Sequence, residues 1–260
     1  MRSRPVDAPT FSFAITDDSV LDGRLKLLQP ARGHRAGHDA ILLAAAAPKS
    51  TTAVDLGAGI GTAGLALLAR NAARNVAFVE IDVDLARLST VNAERNGFAD
   101  KALSVQSDIA RLARRGGPPK PAAASADLVI MNPPFNDPAQ RRASPDAARR
   151  RAHAAPDGDI DSWIEAAGRL LKSNGRIVLI HRPEAMATIL ADLDRHFGAA
   201  EIIPIHARAD APAIRIVVRA QKGKRTPLLI RPAFVLTGPD NRPTHEAEAV
   251  LRGAAALDST

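Results

Sequence analysis

Cysteine is absent from the 260 residues. That excludes disulfides, zinc–thiolate centres and thiol nucleophiles, and it fits a reducing compartment. Aromatic residues make up only 3%, with no tyrosine and a single tryptophan, so a core must be built mostly from Leu, Ile, Val and Ala. No apolar run is long enough to cross a bilayer, and Met1 to Pro30 holds no stretch of signal-peptide length. A cytoplasmic location without a membrane partner is therefore expected. There is no GxSxG elbow, no phosphate-binding lysine loop and no internal repeat. His34 and His38 have the spacing of a metal pair, but Gly37 between them weakens a helix and no third ligand is evident. No metal site is expected.

Hydrophobic residues reach 46%, enough for one large α/β domain or two small ones. The net charge of +7 is carried mainly by arginine. Such an excess favours polyanionic partners, nucleic acid ahead of anionic membrane.

Near the N-terminus, Phe11–Ile15 and Gly23–Leu27 alternate in polarity around Asp17-Asp18-Ser19, which reads as a small hairpin with its turn at those polar residues. The division expected is an extension over 1–36 and one catalytic domain over 37–260. Asp39 to Ala47 is an alanine-rich helix that Asp39 would cap and Pro48 would end. From there strand and helix alternate. Strands are predicted at 53–57, 75–81, 103–107, 126–131, 175–181, 201–207 and 214–221, and helices at 62–73, 83–96, 160–172 and 184–196. Ile177-Val178-Leu179-Ile180 is apolar at every position, as in a parallel strand buried on both faces. The pattern predicts a doubly wound, seven-stranded, mostly parallel sheet. Only Arg208 to Ala213 joins the last two strands, so they form an antiparallel pair at one edge. Arg114 to Pro121 and Asn136 to Asp159 have the composition of irregular chain. Leu228–Ile230 and Phe234–Leu236 are candidate short strands, and Thr244–Arg252 is a candidate terminal helix.

Val54-Asp55-Leu56-Gly57-Ala58-Gly59-Ile60-Gly61 reads as a strand running into a glycine turn. In a doubly wound sheet this turn approaches a ligand closely, and side chains would collide with it. Glu80 closes the next strand, where a carboxylate can accept from ribose hydroxyls, and Asp108 follows the third, where it can meet an adenine edge. Gly59-Ile60-Gly61-Thr62-Ala63-Gly64 is formally a dinucleotide GxGxxG. Asp55 argues against it, because a carboxylate there opposes a pyrophosphate and suits a cationic ligand. S-adenosylmethionine (SAM) combines such a cation with ribose and adenine.

Asn132-Pro133-Pro134-Phe135 ends the apolar run Ala126–Met131. An exocyclic NH2 is a poor nucleophile because its lone pair is conjugated into the ring. Two acceptors aimed at its two N–H bonds, the Asn132 side chain and the Pro133 carbonyl, draw it toward sp3 geometry. Proline holds the corner rigid and removes a competing donor. Phe135 offers a face for stacking. Orientation then supplies most of the rate.

Asp55-x-Gly57-x-Gly59-x-Gly61, Val79-Glu80-Ile81-Asp82, Asp108 and Asn132-Pro133-Pro134-Phe135 together resemble class I SAM-dependent methyltransferases of the amino-methylating type, over about residues 37 to 221. Gly33 to Leu43, Ser144-Pro145-Asp146 with Ala152-His153, and Pro212-Ala213-Ile214-Arg215 resemble the bacterial tRNA-Val adenine-N6 group more narrowly. The resemblance implies SAM as donor, held by Asp55, Gly57, Ala58, Gly59, Gly61, Glu80, Ile81 and Asp108, and a tRNA adenine at Asn132 to Phe135. Adenine-N6 members often carry Tyr where Phe135 stands, and Phe is shared with guanine-N2 methyltransferases of ribosomal RNA. Both bases stay open, as do a protein glutamine amide and a non-catalytic SAM- and RNA-binding role. Arg141-Arg142 and Arg149-Arg150-Arg151 follow the corner, and Lys222, Lys224 and Arg225 follow the last strand. Both clusters are candidate RNA phosphate contacts, and His153 and Trp163 either close the pocket or pack.

Overall fold

The computed structural model describes residues 11–33, 35–114, 121–134 and 160–257. Strands β1 (Ile15–Val20) and β2 (Leu25–Pro30) form a separate antiparallel pair in which Val20 faces Leu25. The turn is Leu21–Arg24, not Asp17–Ser19. Leu21, Asp22 and Gly23 have φ of 55°, 58° and 79°, and successive positive φ matches the twist of a hairpin. Leu21 is buried, which anchors a turn made without the usual residues. Asp17 and Asp18 stay in the strand because they have partners there: Arg95 for the first, Gln29 and Arg35 for the second.

Helix α1 (His38–Ala46) starts from Gly37, and Asp39 does not cap it. Arg215 takes the Asp39 carboxylate instead, at 2.8 Å. Then follow β3 (Ser50–Leu56), α2 (Thr62–Ala69), β4 (Ala73–Glu80), α3 (Val83–Arg95), β5 (Ala102–Gln106), α4 (Ile109–Ala113) and β6 (Ala126–Met131). The second half comprises α5 (Ile160–Leu170), β7 (Leu171–His181), α6 (Met186–Leu193), β8 (Phe197–Arg208), β9 (Ala213–Lys222), β10 (Leu229–Ile230), β11 (Phe234–Thr237) and α7 (His245–Leu251).

Nine of these strands form one sheet, in the order β10-β8-β9-β7-β6-β3-β4-β5 with β11 also on β8. The predicted doubly wound, mostly parallel α/β architecture is present, with two differences. The antiparallel strand is not at the edge: the short β8–β9 connection forces a hairpin, and β9 then inserts between β8 and β7. β10 and β11 extend the sheet beyond seven strands by pairing parallel to β8.

Alternate residues of the central strands feed two cores. Phe78, Leu128, Ile130, Val178 and Ile180 face α1, α2, α3 and the hairpin. Val54, Val79, Val129, Met131, Ile177 and Leu179 face α4, α5 and α6. Apolar residues on both faces are what a doubly covered parallel sheet requires. The hairpin belongs to the first core through Leu25 and Leu27. Asn92 of α3 holds it there by hydrogen bonds in both directions with the Leu28 backbone (2.8 and 2.9 Å).

Candidate active site

Strand register places the site. Leu56 lies level with Val79 of β4 and with Met131 of β6. Gly57, Glu80 and Asn132, the residues that follow, therefore lie at the same level of the carboxyl rim. Strand order reverses here, β4 lying to one side of β3 and β6 to the other. A ligand crevice forms at such a point.

Gly57, Gly59 and Gly61 all have positive φ, but their surroundings differ. A Cβ on Gly57 would lie 2.3 Å from Cη2 of Trp163, whereas a Cβ on Gly59 would meet nothing within 4 Å among the described residues. The group that approaches Gly57 closely is thus a side chain of the same protein, and the open space lies over Gly59. Gly64, which completes the formal dinucleotide pattern, packs against Phe78 (2.4 Å from a built Cβ) and seats α2 on β4.

Asp55 is only 3% exposed, and its Oδ2 accepts the Gly64 N–H at 2.9 Å. Burial pushes this carboxyl up to about 7, against the Gly64 hydrogen bond and with a smaller contribution from Glu80. Glu80 is 9% exposed and accepts three backbone N–H groups, from Gly59 (2.8 Å), Ile81 (2.8 Å) and Asp82 (3.0 Å). It ties the glycine turn to the end of β4. Of a carboxylate's roughly four acceptor positions, these three N–H groups take three. Ile81 stands 56% exposed beside it, an apolar surface available to a planar ring. Asp108 caps α4 by accepting the Ala110 N–H at 2.9 Å.

At the corner, Asn132 Oδ1 is buried and has no hydrogen-bond partner among the described residues. An unsatisfied buried acceptor costs about 1–3 kcal/mol, and a ligand N–H would relieve it. Pro133 is buried and Pro134 half-buried. Phe135 lies outside the described residues, as do Arg141, Arg142, Arg149, Arg150, Arg151, His34 and His153. On the far side of Asn132, register with β7 brings Ile180 alongside, followed by His181. Burial lowers the His181 pKa first of all, which keeps the ring neutral.

The structure does not bring Lys222, Lys224 and Arg225 to this corner. β9 is antiparallel and ends level with the start of β7's paired run, Gln221 opposite Arg176, on the amino rim. Lys222 Nζ donates to the carbonyls of Gly168 (2.6 Å) and Leu171 (2.7 Å), and Arg225 donates to Asp194 O (3.0 Å). Trp163, in contrast, stands inside the site, a position sequence spacing left undecided between closing the pocket and packing. Its only signal was its place near the start of the helix that follows the corner.

Residues 36–208 match the model of the family described as methyltransferase small domain. The tRNA1(Val) (adenine(37)-N6)-methyltransferase of Tolumonas auensis is 28% identical over 149 residues, 56% of this chain and 58% of that protein. This chain therefore spans under two thirds of that relative. The enzyme of the same name from Erwinia tasmaniensis is 25% identical over 80% of this chain and 82% of its own length. Among solved structures, Atu636 of Agrobacterium tumefaciens, described as a predicted O-methyltransferase, superposes with a TM-score of 0.69 at 28% identity, covering 85% of this chain and 99% of that one. Pyrococcus horikoshii TYW2 in complex with MeSAdo shares the fold, with a TM-score of 0.53 at 15% identity over 81% of this chain and 72% of that one. With the family match running from the start of α1 to the end of β8, and the crevice where strand order reverses, the chain belongs to the methyltransferase small domain family.

Proposed function

We propose that the chain is a SAM-dependent N-methyltransferase acting on an exocyclic amine of a nucleobase in RNA, with adenine N6 of a tRNA as the first candidate. One observation carries the reading: a buried side-chain oxygen at the rim, Asn132 Oδ1, waits for an N–H donor. The open space over Gly59 and the exposed Ile81 fit a nucleoside-bearing donor beside it. The names of the curated relatives support tRNA adenine as the class of acceptor.

In this reading Asn132 Oδ1 accepts one N–H of the target amine and the Pro133 carbonyl accepts the other. The amine's lone pair is released from the ring and aimed along the crevice. Bound SAM supplies an electrophilic methyl group. The methyl group would pass to the amine nitrogen as its bond to sulfur breaks, leaving the neutral thioether S-adenosylhomocysteine, and the amine would then shed one proton to solvent. Proline at 133 and 134 contributes no backbone donor, so the corner presents acceptors alone. Phe135 is proposed to stack on the base, and Arg141, Arg142 and Arg149 to Arg151 to contact RNA phosphates. Lys222, Lys224 and Arg225 would reach only RNA that extends to the opposite rim. Residues 37–260 would form the catalytic domain and 1–36 its extension, which the start of the family match at residue 36 supports. Among the described residues no helix is long and apolar enough to cross a membrane, and a tRNA substrate implies work in the cytoplasm.

Mass spectrometry of nucleosides from cells with and without the gene tests the proposal. Loss of N6-methyladenosine from tRNA is expected. Loss of N2-methylguanosine from ribosomal RNA would move the target to guanine, and unchanged RNA would overturn the RNA reading.

A further inference from the structure

Trp163 is the single tryptophan of the chain, in a protein whose aromatics amount to 3%. It lies in the first turn of α5, which descends from the carboxyl rim to end beside Ser125, whose N–H bonds Leu170 O at 3.0 Å. Its benzo ring stands on the glycine turn. A Cβ on Gly57 would come within 2.3 Å of Cη2, 2.9 Å of Cζ3 and 3.5 Å of Cζ2. Gly57 follows Leu56, which pairs with Met131, the residue before Asn132. The indole therefore packs on the glycine turn, which leaves its strand at the same level as the corner that holds Asn132.

Methyl transfer fixes what must pass through that point. The target amine is held by Asn132, and reacting atoms must approach to about 3–3.5 Å in line. The sulfur bearing the methyl group must then lie between the turn and Asn132, next to Trp163. Indole is the strongest natural partner for a cation placed near its face. Trp163 is half-buried and packs against the edge of the second core, so part of its surface stays exposed.

We infer that Trp163 is a positioning residue of the donor pocket, whose indole holds the cationic sulfonium of SAM between the glycine turn and Asn132. The inference rests on the reading that this crevice binds SAM. It predicts discrimination by charge, since S-adenosylhomocysteine (SAH) has the same nucleoside and amino acid but a neutral thioether. The enzyme would thereby favour donor over spent product at equal concentration.

Calorimetry with SAM and SAH on wild type, Trp163→Leu and Trp163→Phe separates the possibilities, with thermal melts to confirm that each variant folds. In Trp163→Leu, SAM affinity is expected to fall about tenfold while SAH affinity changes less than about twofold, and Trp163→Phe should lie between. Wild-type fluorescence, which reports this one indole, should respond more to saturating SAM than to SAH. Equal losses for both ligands would reduce Trp163 to packing and overturn the inference. Unchanged donor affinity with a raised KM for RNA would make it a base platform, and would equally overturn it. A wild type that binds neither ligand would bring down the donor reading itself, an outcome distinct from any effect confined to the variants.

Discussion

The two rims of the sheet are built on opposite rules. On the amino rim, charged groups are satisfied within the protein: Lys222 closes two carbonyls at the end of α5, and Lys172 pairs with Asp127 at 2.7 Å. On the carboxyl rim Asn132 Oδ1 has no partner among the described residues, Asp55 and Glu80 are buried close together, and Ile81 is exposed. The first rim is arranged for stability. The second leaves one acceptor that a bound ligand could satisfy. Net positive charge alone cannot tell the rims apart, because the Lys222 cluster is as basic as an RNA contact would be.

Asn132→Ala should break the contrast most sharply. Removing the acceptor is expected to lower methylation by roughly 100- to 1,000-fold, as for loss of a preorganised hydrogen bond in a transition state. SAM affinity by calorimetry and the thermal midpoint should stay near wild type, because Asn132 Oδ1 has no hydrogen-bond partner among the described residues.

Gly57→Ala and Gly59→Ala sharpen the comparison within one turn. Both residues have positive φ, so each variant bears a backbone cost of about 1–2 kcal/mol. Gly57→Ala also drives a methyl into Trp163, adding about 1–3 kcal/mol of overpacking. Urea unfolding should rank Gly57→Ala as the less stable, and Gly57→Ala combined with Trp163→Ala should recover part of the loss. Gly59→Ala should instead lose SAM affinity, because its methyl enters the open crevice.

Asp55 gives a pH test. Its carboxyl is raised in the folded state from the ordinary 3.8 to about 7, so folding favours the protonated form. The sign follows: its contribution to stability is greatest at low pH, falls as pH climbs from about 4 toward 7, and levels off above. Urea unfolding at pH 5 and pH 8 should show Asp55→Asn losing less stability over that interval than wild type. Equal losses would mean that this carboxyl is ionised throughout. The same ionisation should strengthen SAM binding as pH rises through 7 in wild type and not in the variant.

Lys222→Met should have the smallest effect, about 1 kcal/mol in unfolding free energy from the released carbonyls of Gly168 and Leu171, with SAM affinity unchanged. A drop in donor affinity would show that the rims are coupled.

Local chemistry made much of this legible. The strands at 126–131 and 177–180 are apolar at successive positions because both faces are covered, and that pattern survives in one dimension. Prolines and a glycine turn at strand ends mark the crevice for the same reason: backbone geometry is a property of short segments. The misreadings have distant causes. Asp39 looks like a cap until Arg215, far along the chain, claims its carboxylate. Asp17-Asp18 looks like a turn until Arg95 and Gln29 hold it straight. α2 stops at Ala69, and Asn71 turns the chain at φ 55°, so β4 begins earlier than its apolar core suggests. α4 has five residues, too few to show a helical period.

By itself the sequence determined that strand and helix alternate, that the sheet is buried on both faces, and that a glycine turn and an Asn-Pro-Pro corner occupy strand ends. Those properties follow from side-chain polarity and backbone freedom at neighbouring positions. Tertiary structure alone decided that β9 inserts between β7 and β8, that Glu80 largely holds the turn, that Lys222 faces away from the corner, and that Trp163 stands on Gly57. Each of these depends on which residues distant in sequence meet when the two cores close, and pairing across the sheet is not written in local composition.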